Sequence, residues 1–452
     1  MKVHVDFDKI TGVMKPMHGV GQPPMSGPRD GGWMHYLTEA GIPYSRLHDV
    51  QGIFGANLYV DIPNIFRDFN ADENDPGSYD FAFTDAFIAE LVKTGCKPFY
   101  RLGVTIENYH KIKAYRIFPP ADFAKWARIC EHIIRHYNEG WADGFHYGIT
   151  YWEIWNEPGD DACYPGGSSE MWHGTPEQYY ELYTVAASHL KKCFGNSIKV
   201  GGYAGAGFPY FELIDPEAKG LDHEPENQRE GFFKFGHGFL SYIREHQAPL
   251  DFFSWHRYAC DPVERTSKES DYIRKLLTRY GFGDVEDILN EWNSATGMPN
   301  ARKDSTFASS HAFATLVQMQ RSKTSMMNYY DARCTGSRYG GLFNPETMEP
   351  YLTYFGFMMF NDAYKLKNEV YSCSEDPRYP VCAASDGRHH ILLLANMYNE
   401  EAEVELDIHG ADENKPEIFM LNNIYRNSPT GIKLQDNKLK IPPETCVSIR
   451  FF

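Results

Sequence analysis

Two glutamates stand at the ends of two apolar runs. The first closes Tyr151-Trp152-Glu153-Ile154-Trp155-Asn156-Glu157-Pro158. Its β-branched and aromatic residues suit a buried strand, and Pro158, having no N–H for a ladder, ends it. The second run is Asp287-Ile288-Leu289-Asn290-Glu291-Trp292-Asn293. A carboxyl among indole rings is poorly solvated as an anion, so Glu157 is expected to keep its proton to higher pH than a free glutamate. Alone, the first stretch reads equally well as a strand followed by an Asn-Glu-Pro turn. The second run changes that weighing, because two carboxylates at two strand ends are what glycoside hydrolysis needs. One protonates the leaving oxygen, and the other attacks or activates water.

Glu157 and Glu291 lie far apart in the chain, so several supersecondary units must separate them, and only an α/β architecture brings both strand ends to one face. Candidate strands fall at 17–20, 44–48, 97–102, 151–155, 198–203, 250–256, 288–291 and 325–330. Helical patterns lie between them. Over 122–137, Phe123, Trp126, Cys130, Ile133, Ile134 and Tyr137 share one face. Thr175-Pro176-Glu177-Gln178 combines an N-cap, a proline at the first helical position and a capping box, and Gly195 closes that helix. Residues 305–322 and 351–366 are further candidates. Eight strand–helix alternations predict a (β/α)8 TIM barrel over 15–365, with a doubly wound sheet as runner-up.

After 366 the pattern changes to short strands at 389–397, 402–408, 417–421, 433–434 and 447–452, separated by Asn, Gly, Asp and Pro. These predict a smaller C-terminal antiparallel β-sandwich domain over 366–452. Residues 1–14 begin with a strand at 2–7 that is expected to pair into it. Segments 159–174 and 204–237 read as long loops shaping the barrel mouth.

At 452 residues, 42% hydrophobic and 23% charged, the chain is that of an ordinary globular protein. A net charge of −17 argues against nucleic acid and anionic membrane surfaces as partners. Aromatics reach 15%, in keeping with stacking on sugar rings, although most must be core. Nine cysteines, with no Cys-x-x-Cys pair, fit a reduced cytoplasmic protein, or a periplasmic or secreted one had a leader been removed. No apolar run is long enough to span a bilayer. Assembly into a homo-oligomer stays open.

Trp152-Glu153-Ile154-Trp155-Asn156-Glu157-Pro158, the segment 251–258 and Asn290-Glu291-Trp292 together resemble glycoside hydrolase family 39, the β-xylosidase and α-L-iduronidase family of the clan A retaining glycosidases. The resemblance implies Glu157 as acid/base, Glu291 as nucleophile, and Asn156 as a hydrogen-bond partner of the sugar 2-hydroxyl. It places His256 and Tyr258 where the clan orients and polarises the nucleophile; as a plain His-x-Tyr they would be a satisfied core pair. Arg46 and His48, on one side of the second strand by period two, could serve the same pocket or a packing network. Trp292 and Tyr330 complete the substrate-binding candidates. The eighth strand departs from the family's xylosidases, which tend to carry a tryptophan there. Tyr329-Tyr330-Asp331-Ala332-Arg333 looks more like clan A arabinofuranosidases. Arg333 would suit a substrate carboxylate.

The reading is a retaining, exo-acting hydrolase of a terminal β-D-xyloside or L-arabinoside in plant-type glycans, with a glycoside substrate as its partner and no metal or cofactor. Its rivals are a clan A enzyme for uronides or galactosides and a catalytically silent carbohydrate-binding protein. His132 and His136 have the i, i+4 spacing of a zinc pair but lack a glutamate after His132 and sit on an outer helix. Gly202-Tyr203-Ala204-Gly205-Ala206-Gly207 lacks the dinucleotide-binding order.

Overall fold

A computed structural model describes residues 1–24, 32–50, 60–105, 118–159, 171–334, 339–411 and 416–452. Strand β1 (Lys2–Val13) precedes eight parallel strands: β2 (Gly19–Gly21), β3 (Tyr44–Leu47), β4 (Lys97–Leu102), β5 (Tyr151–Ile154), β6 (Lys199–Gly205), β7 (Phe252–Tyr258), β8 (Glu286–Asn293) and β9 (Thr324–Tyr329). In that order β2 to β9 close into a barrel, β2 pairing with β9.

Period-two alternation divides each barrel strand between two environments. On β5, Tyr151 faces inward and packs with Phe99, Phe252, Ile288 and Met326 in an apolar plug at the barrel floor. Trp152 and Ile154 face outward into the much larger core beneath the helices. Fully burying side chains such as Ile288 or Met326 contributes about 1.5–3 kcal/mol each. The next inward layer is polar: Arg46, Arg101, Glu153, Ser254 and Asn290 are all completely buried. That layer lies beneath the mouth, and it is where the chemistry sits.

The helices follow their sequence signals. Phe123–Asn138 is capped by Asp122, whose side chain accepts from Lys125 N–H. Pro176–Phe194 carries the full capping box between Thr175 and Gln178 and ends at Gly195. The span 204–237 is not one long loop. It holds the helix Phe208–Ile214 and most of the helix Gln228–Glu245, whose N-cap Asn227 accepts from Glu230 N–H. Phe232, Phe233, Phe235, Phe239 and Ile243 form the buried face of the second. Of 159–174, residues 160–170 lie outside the described residues.

The remaining strands are β10 (Asn368–Ser374), β11 (Val381–Ser385), β12 (His390–Asn396), β13 (Ala402–His409), β14 (Glu417–Leu421), β15 (Arg426–Pro429), β16 (Lys438–Ile441) and β17 (Thr445–Phe451). With β1 they form one nine-stranded sheet that curls into the sandwich around its own apolar core. β1 lies antiparallel to β10 and parallel to β13. The expected strand at 433–434 is absent; β16 begins a few residues later, where Leu439 and Ile441 alternate with exposed lysines. Among the described residues no helix is long and apolar enough to cross a membrane, and the eight described cysteines are free thiols; Cys163 lies outside them.

Candidate active site

β5 runs into a turn with an unusual backbone. Trp155 (φ 72°) and Glu157 (φ 45°) are both left-handed, a region that residues other than glycine rarely enter. Neighbours hold the turn in place. Trp155 N–H donates to Leu102 O (2.7 Å), its indole N–H to Met171 O (2.8 Å), and Glu157 N–H to Ala204 O (3.1 Å). The Trp155 ring packs on Trp126 and Trp172. These contacts lock Glu157 over the barrel mouth, and Pro158 follows.

Glu291 reaches the same place through a register shift. Trp255 pairs with Leu289, but His256 pairs with Glu291, so β8 carries one extra residue against β7. The bulge lets the consecutive Asn290 and Glu291 both reach the barrel interior, which a regular strand forbids. Asn290 Nδ2 donates to Glu153 Oε1 (2.5 Å), and Glu291 Oε1 accepts from Arg46 Nη1 (2.5 Å).

The two carboxylates converge on one imidazole. His256 Nδ1 is 2.6 Å from Glu157 Oε1 and 3.5 Å from Glu291 Oε2. One oxygen of each carboxylate and a ring nitrogen of His256 all lie within 4.8 Å of one another. Tyr258 O–H donates to Glu291 Oε2 (2.5 Å). Arg46 Nη2 donates to Asn156 Oδ1 (2.6 Å), while Asn156 Nδ2 is buried without a partner.

Burial sets the charge states. It drives His256 down to about 4, so the imidazole is neutral near pH 7 despite Glu291 beside it. Burial pushes Glu291 up and neighbouring Glu157 adds to the rise; Arg46 and the Tyr258 hydrogen bond oppose it, and the carboxyl settles above the ordinary glutamate value. For Arg46, burial pulls down, but Glu153 and Glu291 together hold the guanidinium above its ordinary value. Burial, then Glu291, keeps Tyr258 well above its usual value, so it remains an O–H donor. With His256 neutral, Arg46 is the standing cation against Glu291.

Glu157, Glu291, Asn156, His256, Tyr258 and Arg46 are thus brought together. His48 is buried at the rim, its Nε2 3.3 Å from Asp49 Oδ1; burial first, then Arg101 and Arg46, keep it neutral. Tyr330 O–H donates to Asp49 Oδ2 (2.8 Å), and its ring joins Tyr258 and Tyr339 in an aromatic wall. Trp292 is not brought to the mouth. It points into the layer beneath the helices, edge-on to Tyr329, which packs on Phe357. Arg333 Nε lies 3.3 Å from Asp331 Oδ2, an ion pair inside the chain. The sequence reading passed over Glu153, Asn290, Asp49 and Gln22, the last a donor to Tyr330. An inward-facing charge on a barrel strand was the available signal for Glu153.

Glu157, His256 and Glu291 also offer converging ligand atoms for a metal ion, but Arg46 already supplies a positive charge to Glu291. His132 and His136 form no pair: His132 Nδ1 bonds Arg128 O, and His136 bonds Asp85 and Trp141 O.

The model of the glycosyl hydrolases family 39 matches residues 1–333. The chain belongs to this family. A β-xylosidase of Caldicellulosiruptor saccharolyticus is 27% identical over 241 residues, covering 52% of this chain and 40% of that relative, so the match spans less than half of the relative's length. Among solved structures, a glucosidase from Croceicoccus marinus superposes with TM-score 0.75 at 21% identity, covering 100% of this chain and 98% of the other. A monomeric β-xylosidase from Caulobacter crescentus gives 0.67 at 15%, covering 100% and 99%. A GH39 enzyme from Xanthomonas axonopodis pv. citri gives 0.68 at 16%, covering 100% and 97%. These likenesses establish the fold, and the match over residues 1–333 establishes the family.

Proposed function

We propose that this family 39 chain is a retaining, exo-acting glycosidase that removes a terminal β-D-xylosyl or L-arabinosyl unit from plant-type glycans. The observation that carries the reading is the separation of Glu157 and Glu291. Retaining enzymes hold their carboxyls about 5–5.5 Å apart and inverting ones about 6.5–9.5 Å apart, to make room for water. One oxygen of each carboxylate lies within 4.8 Å of one on the other, which supports the closer spacing.

In this mechanism Glu157 gives its proton to the glycosidic oxygen as a Glu291 oxygen forms a bond to the anomeric carbon and the bond to the leaving group breaks. Glu157 then takes a proton from water, which displaces Glu291 and releases the sugar with its configuration kept. Neutral His256 can accept a hydrogen bond from protonated Glu157 through Nδ1. Tyr258 and Arg46 keep Glu291 an anion. The free Nδ2 of Asn156 is placed for a sugar hydroxyl. The wall of Tyr258, Tyr330 and Tyr339 supports a closed glycone pocket and exo action. Pentose specificity rests on the named β-xylosidase relatives. We take 15–365 as the catalytic unit and 1–14 with 366–452 as the accessory sheet, a division supported by the pairing of β1 with β10.

A panel of 4-nitrophenyl glycosides tests the reading: β-xyloside, α-L-arabinofuranoside, α-L-arabinopyranoside, β-glucoside, β-galactoside and β-glucuronide, with Glu291→Ala as blank. Release from one pentoside, lost in the variant, is expected. Release from a hexoside or uronide alone overturns the sugar assignment, and equal turnover by Glu291→Ala overturns the mechanism.

A further inference from the structure

One buried carboxylate has no part in the chemistry above. Glu153 lies inside the barrel, fully shielded from water, in register with Arg101 on β4. Its Oε2 sits 2.7 Å from Nε and 2.6 Å from Nη2 of Arg46, and its Oε1 accepts from Asn290. Arg46 extends its remaining donors to Glu291 and Asn156. A single guanidinium is therefore shared between two buried carboxylates, one from β5 and one from β8.

This sharing has an electrostatic consequence. Inside a low-dielectric barrel, an unshared Arg46 would over-stabilise the Glu291 anion, and a carboxylate that is too stable as an anion is a poor nucleophile. When Glu291 forms its bond to the anomeric carbon and Glu157 passes its proton to the leaving oxygen, the charge on Glu291 vanishes. Arg46 would then be a buried cation without a counter-ion, a costly state. Glu153 supplies that counter-ion throughout.

We propose that Glu153 is a positioning residue that takes up part of the Arg46 charge, tuning the basicity of Glu291 and keeping Arg46 paired while Glu291 is esterified. The inference rests on the assignment of Glu291 as nucleophile. The groups facing Glu291 are Arg46 from β3, His256 and Tyr258 from β7, Glu157 after β5 and Tyr330 after β9. Those near Glu153 are Arg46, Asn290, His256, Tyr179 from the helix Pro176–Phe194, and Arg101, whose guanidinium pairs with Asp61 at 2.7 Å. Of these, Arg46 alone bridges the two carboxylates.

The test is Glu153→Gln in the full chain, with kcat and kcat/KM measured against pH on the pentoside that wild type cleaves. The acid limb is expected to move down by about one unit or more. kcat should fall while KM stays within about twofold. An acid limb that stays put or moves up, with kcat reduced, would mean a merely structural role and overturn the proposal. Should Glu153→Gln not fold, Glu153→Asp keeps the charge at greater distance, and its acid limb is expected to move the same way by less. A readout independent of turnover is the carboxyl 13C signal of Glu291, identified by its loss in Glu291→Gln. It should titrate lower in the Glu153 variant, and an unchanged titration overturns the idea. Turnover by Glu291→Ala would instead sink the nucleophile assignment itself.

Discussion

Arg46 Nη1 lies 2.5 Å from Glu291 Oε1, and the same guanidinium lies 2.6 Å from Glu153 Oε2. All three side chains are buried, so none of this charge is screened by water. Arg46→Met therefore leaves two uncompensated carboxylates inside the barrel. The expected loss is about 3–5 kcal/mol of stability at neutral pH. Urea unfolding at pH 7 and pH 5 checks it: the deficit should shrink at the lower pH as the carboxylates take up protons, and an equal deficit at both would point to packing instead.

Tyr258→Phe removes one hydrogen-bond donor from Glu291 and little else. A donated O–H favours the ionised carboxylate, so its loss raises the pKa of Glu291 and moves the acid limb of kcat/KM to higher pH. kcat should fall by roughly 10- to 100-fold. A limb that stays where it is in wild type would show that Tyr258 does not act through Glu291.

Asp287 lies outside the site and reports on the fold. Its carboxylate accepts from Trp255 Nε1 (2.5 Å) and Ser270 Oγ (2.9 Å), yet burial pushes it up to about 6. An acid whose pKa is raised by folding holds its proton more tightly in the native state. Its contribution is therefore fully present below the unfolded value of about 3.9 and is lost as pH climbs through about 6. Asp287→Asn cannot ionise, so the pH-dependent part, on the order of 2–3 kcal/mol, should disappear. Thermal unfolding of the two proteins from pH 4 to 8 should show curves that converge or cross, with the variant gaining relative stability as pH rises. Parallel curves would contradict the assignment.

Much of this was legible in the chain because local signals agree with the global fold. Thr175-Pro176-Glu177-Gln178 announces a helix start whatever surrounds it, and the structure forms that capping box. The aromatic run into Asn156-Glu157-Pro158 names its own strand end. What local pattern did not reveal depends on closure. Glu153 reads as one polar residue in a strand until the barrel sets it against Arg46 and Asn290, residues distant in sequence. Trp292 looked like a pocket residue because it follows Glu291, but period two after the bulge turns it outward. The helix Gln228–Glu245 was hidden in a Gly-rich, charged stretch, where its phenylalanine face is offset by polar neighbours. β10 carries too many polar residues to stand out, and β11 is a short run of mostly small ones; they exist because β1 and β12 pair with them.

The central claim is that Glu291 becomes covalently bound to the sugar, and trapping it is the most direct measurement. The chain would be incubated with the 2-deoxy-2-fluoro analogue of the pentoside it cleaves, then digested and mapped by mass spectrometry. The account predicts one adduct per chain, on the peptide carrying Glu291, with activity lost in step. Turnover of the parent pentoside with no adduct, or an adduct on Glu157, would contradict it.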